Sequence, residues 1–196
     1  MGRVFIASFV GAIICFTWGA LSWMVLDWHS STLRSFDNEP AVAKTLASSA
    51  PEHGVYMLPN FMRDQGRNPS LQSQAAAQKA RSDMQAGPYG FAVIRPGPKQ
   101  QRFGMDLTFL WAFLRSLGAC FVIALMVRQT KRLDYIQKVG FCVLGGIFAG
   151  LVTDIPMLVW FEAPLRYTLI NMADHLCEWF LAGLAIGAIV QEREAY

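Results

Sequence analysis

Five ionisable side chains lie inside stretches of the chain that are otherwise apolar enough to cross a membrane. They are Arg115, Asp154, Asp174, His175 and Glu178. Charged groups are costly at that depth, so they normally face the interior of a helix bundle, pair with one another or mark a site for an ion or a ligand. One cation, three carboxylates and an imidazole therefore form a candidate intramembrane polar cluster.

The spacing of these residues places them at similar depths. Asp174 and Glu178 are one helical turn apart on one face, with His175 beside them. With a rise of about 1.5 Å per residue, Arg115 lies roughly 12 Å and Asp154 roughly 10 Å from the outer edges of their helices. The same count puts Asp174 at roughly 9 Å and Glu178 at roughly 15 Å. We therefore expect all five side chains to meet in the outer half of the membrane.

Several interpretations of this cluster stay open. In a structural one, Arg115 is held by Asp154 and by Asp174 or Glu178, with one carboxylate protonated, and no ligand is needed. A proton or cation path would continue into the inner halves of the helices, but those carry no ionisable group. A small external ligand, such as a quinone headgroup, could also reach the cluster from outside.

A metal site is a further alternative. The His175-x-x-Glu178 spacing places two ligands on one helical face, and Asp154 and Asp174 could complete the shell. Arg115 would repel a metal ion, and a two-histidine haem site would need His29 or a partner chain as the second ligand. We therefore expect no metal and no cofactor.

Four long apolar blocks carry these side chains. They are residues 4–26, 107–127, 139–161 and 168–190, and each reaches the roughly 20 residues needed to cross about 30 Å of hydrocarbon. The chain is 54% hydrophobic and 16% charged, well below the roughly 25% charged residues of soluble domains. We predict an all-α integral membrane protein with four transmembrane helices and a small α/β extracytoplasmic domain inserted between helices 1 and 2.

Residues 27–106 contain the signals of that inserted domain. Glu and Pro open a helix at 39–49, and short β-prone runs bounded by Gly and Pro predict strands at 55–58 and 91–95. An alanine- and glutamine-rich helix is expected at 70–86. We expect the two strands to pair antiparallel, with this helix inserted between them.

Charge distribution predicts the orientation. The short connection 128–138 carries four basic residues against one acidic residue, so the positive-inside rule places it in the cytoplasm. Both termini are then cytoplasmic, residues 27–106 are periplasmic, and the first helix is an uncleaved anchor. The net charge of +3 indicates no nucleic-acid partner, and the expected surroundings are membrane lipid. Four tryptophans fall at the outer ends of the helices, as in an interfacial aromatic belt: Trp23, Trp28, Trp111 and Trp160.

Small residues at four-residue spacing mark the faces on which the helices are expected to pack closely. They are Ala7, Gly11, Cys15 and Gly19 in the first helix, Gly146 and Gly150 in the third, and Gly183 and Gly187 in the fourth. Asp154 continues the stripe of the third helix, so it should point into the bundle. The four cysteines fall one per helix, and we interpret them as small buried apolar residues.

Two motifs of the inserted domain carry a resemblance: Gly-Val-Tyr-Met-Leu-Pro, and Ala-Gly-Pro-Tyr-Gly-Phe-Ala-Val-Ile-Arg-Pro-Gly. With the last helix ending in Trp-Phe-Leu-Ala-Gly-Leu, the chain resembles a loose group of small, uncharacterised four-helix bacterial inner-membrane proteins with a periplasmic domain between helices 1 and 2. The resemblance implies the topology and a bacterial inner-membrane location, and it implies no activity.

No Ser/His/Asp or Cys/His set and no glycine-rich phosphate loop stands out in the sequence, so we do not expect an enzyme. The leading hypothesis is a non-catalytic accessory or assembly subunit of a larger bacterial inner-membrane complex, respiratory or photosynthetic, with other membrane-protein subunits as partners. The alternative is a protein that handles an ion or a small ligand through the outer polar cluster.

Overall fold

The computed structural model describes residues 1–60, 74–98, 105–130 and 132–191. Its elements, in chain order, are α1 (Gly2–Met24), a short 3₁₀ turn (Ser30–Thr32), α2 (Glu39–Ser49), β1 (Gly54–Leu58), α3 (Gln74–Ala86), β2 (Gly90–Ile94), α4 (Met105–Gln129), α5 (Tyr135–Phe161) and α6 (Leu165–Ile189). They form two compact units, a helix bundle (Met1–Arg34 with Gln101–Tyr196) and an inserted unit (Ser35–Gln100).

The inserted unit contains the predicted pair of strands. β1 and β2 pair antiparallel, with Tyr56 opposite Ala92, which confirms the predicted pairing. α2 begins where its Asn38 cap accepts a hydrogen bond from the Ala41 amide at 3.1 Å, an arrangement that satisfies one free N–H of the first turn. α3 lies between the strands in sequence, as expected. The predicted start of this helix, residues 70–73, lies outside the described residues.

Among the described residues, α1, α4, α5 and α6 are the helices long and apolar enough to cross a membrane, which agrees with the four predicted spans. All four begin before their apolar blocks, whereas α1 ends at Met24 and α6 at Ile189, before the predicted ends at residues 26 and 190. α5 begins at Tyr135 instead of residue 139 because Asp134 and Gln137 form a reciprocal capping box, with bonds of 2.8 and 3.0 Å. α6 begins at Leu165, directly after Pro164. The capping box, not the edge of the apolar block, therefore sets where α5 starts.

The bundle is closed at one end and open at the other. α1 packs against α4 and α6, and α6 packs against α5, whereas α4 makes few contacts with α5 or α6. The closed end contains the N-terminus of α1 and a buried apolar core drawn from all four helices: Val4, Ala7, Cys120, Ala124, Val127, Cys142, Ala182 and Ile186. We call the opposite end, with the C-terminus of α1, the cavity end.

The small residues let the helices pack closely, and the stripe of α1 follows the difference in closure. A Cβ added at Gly11 would lie 3.0 Å from Cys120 Sγ, one at Gly146 would lie 2.9 Å from the His175 carbonyl, and one at Gly183 would lie 2.9 Å from Cys142 Cβ. These glycines therefore allow the helices to approach closely. Gly19 continues the stripe of α1, yet nothing lies within 4 Å of its added Cβ. The stripe thus packs against helices as far as Cys15 and then faces open space.

Candidate ligand site

The open space beside Gly19 is a cavity of about 600 Å³ lined by all four long helices. Its walls include each of the five ionisable residues selected from the sequence: Arg115, Asp154, Asp174, His175 and Glu178. Ligand sites commonly have volumes of about 300–1,000 Å³. The structure therefore brings the five residues around one space, although it does not join them into one cluster of contacts.

Asp174 is the most extensively bonded of the three carboxylates. Its Oδ1 accepts a hydrogen bond from Trp18 Nε1 and another from Ser22 Oγ, each at 2.7 Å. Its Oδ2 lies 3.4 Å from His29 Nε2. Two hydrogen-bond donors of α1 thus hold this carboxylate at the cavity wall, and a histidine of the segment after α1 lies beside it.

Ser22 connects Asp174 to the segment that follows α1. The hydroxyl donates to Asp174, so it accepts from Trp28 Nε1 and from His29 Nε2, both at 3.0 Å. His29 is buried and stacks on Trp23, with 4.0 Å between ring centroids. Trp28 was predicted to lie at the outer end of the first helix, within an interfacial aromatic belt. It instead lies beyond the end of α1 and folds back onto it, because its indole N–H finds acceptors there.

Asp154 has a different partner. Its Oδ2 lies 3.3 Å from His175 Nε2. This oxygen is buried and has no hydrogen-bond partner within the described part of the chain. Asp154 also lines the cavity, with an imidazole beside it but without the set of donors that surrounds Asp174.

Arg115 pairs with Glu178, with 3.5 Å between Nη2 and Oε1. The arginine side chain is 70% exposed, whereas that of Glu178 is 14% exposed. The sequence suggested that Arg115 is shared among several carboxylates. In the structure Asp154 and Asp174 contact histidines, so the charges form three separate pairs around the cavity.

The Cys15 thiol and the Glu178 carboxyl lie at the inner end of the cavity. Cys15 lines it, and Cys15 Sγ lies 3.6 Å from Cys120 Sγ. The Glu178 carboxyl also lies beside Cys15. Below this level the bundle contains the buried apolar core of the closed end. The cavity is thus a blind pocket.

Ser22, His29 and Asp174 are the residue types of a nucleophilic triad, but their arrangement differs from one. In a triad the two imidazole nitrogens contact the hydroxyl and the carboxylate separately. Here Nε2 faces both Ser22 and Asp174, and Nδ1 has no hydrogen-bond partner within the described residues. Ser22 is also fully buried. This set holds the helices together and does not form a nucleophile.

The described residues include no group of three or more His, Cys, Asp or Glu side chains placed to hold one metal ion. His175 and Glu178, the suggested metal ligands, contact Asp154 and Arg115 respectively. The carboxylates surround the cavity at separate points of its wall. The geometry suits a molecule that fills the space between them better than a bare ion.

Sequence reasoning did not select Trp18, Ser22 and Trp28 for this site, and it considered His29 only as a haem ligand. One signal was available, since Trp18 and Ser22 are four residues apart and share a helix face with the cavity. Comparison of the chain with models of protein families, with characterised proteins and with solved structures found no match.

Proposed function

We propose that this chain is a multi-pass membrane protein that binds a small molecule in the cavity between α1, α4, α5 and α6. The observation that carries the proposal is the blind pocket of about 600 Å³ with ionisable groups placed around its wall. Binding sites combine an apolar wall with a few polar groups that orient the ligand. The aromatic side chains of Phe16, Trp18 and Phe109 provide part of such a wall.

The closed end favours binding over conduction. A path across the membrane would have to continue from Cys15 through the buried apolar core, where Ala124, Val127 and Ile186 are almost fully buried. Ions and protons need polar groups or water along their path. A blind pocket instead retains a ligand that enters and leaves from the same side.

Two glycines offer a matched test because an added Cβ has free space at both positions. Gly19 lines the cavity, whereas Gly118 is exposed on α4 and is not part of the cavity wall. Gly19→Leu should fill part of the pocket, and Gly118→Leu should leave the pocket unchanged.

The experiment is mass spectrometry of the chain released from its native membrane. Wild type and Gly118→Leu should carry a bound small molecule other than bulk lipid, at one per chain, and Gly19→Leu should lack it. If wild type carries no such molecule, and a metabolite extract does not raise its melting temperature relative to Gly19→Leu, the proposal is wrong.

A second candidate is the accessory subunit of a larger membrane complex. It is favoured by Gly118 of α4 and Gly140 of α5, which are exposed and have nothing within 4 Å of an added Cβ. Exposed glycines in membrane helices let a neighbouring helix approach closely. On this proposal Gly118→Leu abolishes co-purification of partner subunits, and Gly19→Leu retains it.

We further propose the bacterial inner membrane as the location, with both termini cytoplasmic and residues 27–106 periplasmic. The support is the excess of basic residues in the connection between α4 and α5, which includes Arg128, Lys131, Arg132 and Lys138. The cavity end then faces the periplasm, so its ligand would enter from that side.

A further inference from the structure

The charges around the cavity are unbalanced. The carboxylates of Asp154, Asp174 and Glu178 line it, and among the described lining residues Arg115 is the permanent cation. Two negative charges therefore remain when the three carboxylates are ionised and the histidines beside Asp154 and Asp174 are neutral. Unbalanced charge is costly inside a membrane. A ligand that carries a positive charge would reduce this cost, and an anion would increase it.

Asp154 is the carboxylate least compensated by the protein. Asp174 accepts two hydrogen bonds at 2.7 Å, and Glu178 faces a guanidinium. Asp154 has the His175 imidazole 3.3 Å from its Oδ2, and that buried oxygen has no hydrogen-bond partner among the described residues. A cationic group in the cavity would therefore gain most by lying near Asp154.

The remaining wall suits the same kind of group. Five aromatic residues line the cavity: Phe16, Trp18, Trp23, Phe109 and Tyr167. Aromatic faces attract ammonium groups within about 6 Å of the ring centre, and aromatic cages recognise quaternary ammonium ligands. Carboxylates combined with aromatic rings therefore favour a cation with a poorly hydrated surface.

The volume of the cavity favours an organic cation over an inorganic one. A space of about 600 Å³ far exceeds a bare ion, and within the described residues no three ligating side chains converge as a metal ion requires. Arg115 does not oppose the assignment, because Glu178 offsets its charge and the side chain is 70% exposed.

We propose that the cavity selects a hydrophobic organic cation, with one ammonium-type charge on an apolar or aromatic body. This inference rests on the proposed function, because it names the class of ligand that the same pocket takes. The charge lies near Asp154, and the body lies against the aromatic wall.

Three probes with the same body test the charge preference. They are (3-phenylpropyl)trimethylammonium, its uncharged tert-butyl isostere, and 3-phenylpropanesulfonate. Each is titrated calorimetrically into the full chain in phosphatidylcholine nanodiscs, with empty nanodiscs as the blank. The buffer is held near pH 8, where ordinary histidines are neutral. The ammonium should bind at least tenfold more tightly than the other two.

The variants locate the binding. Gly19→Leu should abolish binding of the ammonium probe and Gly118→Leu should preserve it. Asp154→Asn should weaken binding at least tenfold. Arg115→Gln removes a positive charge from the rim, so it should strengthen binding of the ammonium. If Asp154→Asn does not fold, the affinity of Arg115→Gln for the ammonium still tests the proposal, and an unchanged or lower affinity would contradict it.

Two results distinguish an error in the ligand class from an error in the proposed function. If the neutral or anionic probe binds more tightly than the ammonium and Gly19→Leu blocks it, the ligand class is wrong and the pocket still binds small molecules. If no probe binds and no small molecule accompanies the chain from its native membrane, both the ligand class and the proposed function are wrong.

Discussion

Ser22→Ala tests the hydrogen-bond network at the cavity end. The Ser22 side chain is fully buried and joins three elements through one hydroxyl. It donates to Asp174 of α6 at 2.7 Å and accepts from Trp28 and His29 at 3.0 Å each. Alanine keeps the helix and removes all three bonds. The substitution should therefore lower the free energy of unfolding without changing the fold.

The size of the effect follows from the partners that remain. A hydrogen bond to a charged group contributes about 1.5–3 kcal/mol and a neutral one about 0.5–1.5 kcal/mol. Trp28 Nε1 retains the Ser22 carbonyl at 3.1 Å, and His29 Nε2 stays 3.4 Å from Asp174, so those two losses are partial. Interhelical hydrogen bonds in membrane proteins average only about 0.6 kcal/mol. We expect a loss of about 1–3 kcal/mol, between the membrane-protein average for three such bonds and the value for a bond to a charged group in soluble proteins.

Ser8→Ala is the matched control. Ser8 lies in the same helix and is 1% exposed, but its hydroxyl donates at 2.7 Å to the Val4 carbonyl of its own helix. Alanine has the higher helix propensity, so this change should cost less than about 1 kcal/mol. Both variants are measured by equilibrium unfolding in mixed micelles of dodecyl maltoside and SDS.

A double-mutant cycle of Ser22→Ala with Asp174→Asn should show a coupling above about 0.5 kcal/mol, since the two groups are in contact. Additive effects, or equal losses for Ser22→Ala and Ser8→Ala, would refute the reasoning. Asp174 would then not be held by the network described above.

Three further predictions address the remaining pairs and the topology. Arg115→Leu leaves a largely buried carboxylate without its cation and should cost about 1–3 kcal/mol; adding Glu178→Gln should recover most of this stability, and no recovery would contradict the pairing. Copper phenanthroline should oxidise Cys15 and Cys120 to a disulfide, so that only two of the four thiols react with maleimide in the denatured chain. A Cys15→Ser variant should retain three reactive thiols. Four reactive thiols in oxidised wild type would contradict the packing of α1 on α4. Reporter fusions after Thr130 should report the cytoplasm and fusions after Gly97 the periplasm, and a reversed pattern would overturn the orientation.

The sequence was sufficient for the elements that depend on local patterns. The four apolar blocks mark helices that are long enough to cross a membrane, and short β-prone runs bounded by Gly and Pro mark β1 and β2. Exact helix starts depend on caps as well as hydropathy. The Asp134 capping box starts α5 one turn before its apolar block. Lys138 lies in this added turn, and its Nζ donates a hydrogen bond to the Val190 carbonyl at 3.1 Å.

The partners within the site could not be predicted from depth alone. Counting residues along the helices placed Arg115 and the three carboxylates at similar levels, but depth does not specify which groups face each other. The segment after α1 determines the partners of Asp174, because Trp28 and His29 fold back toward Ser22 and Asp174. Such a return depends on tertiary contacts, and neither residue belongs to a periodic pattern.

The small-residue stripe of α1 links the packing of the bundle to the position of its site. At Gly11 the helices meet so closely that an added Cβ would lie 3.0 Å from Cys120 Sγ. Two turns later, at Gly19, the neighbouring helices have separated and the same kind of residue lines the cavity. Close packing at one end thus fixes α1, α4 and α6 relative to one another, and their separation at the other end leaves the pocket. A larger residue at Gly11 should loosen the bundle itself, whereas one at Gly19 should occupy only the pocket, so the two positions separate the stability of the fold from the binding of a ligand.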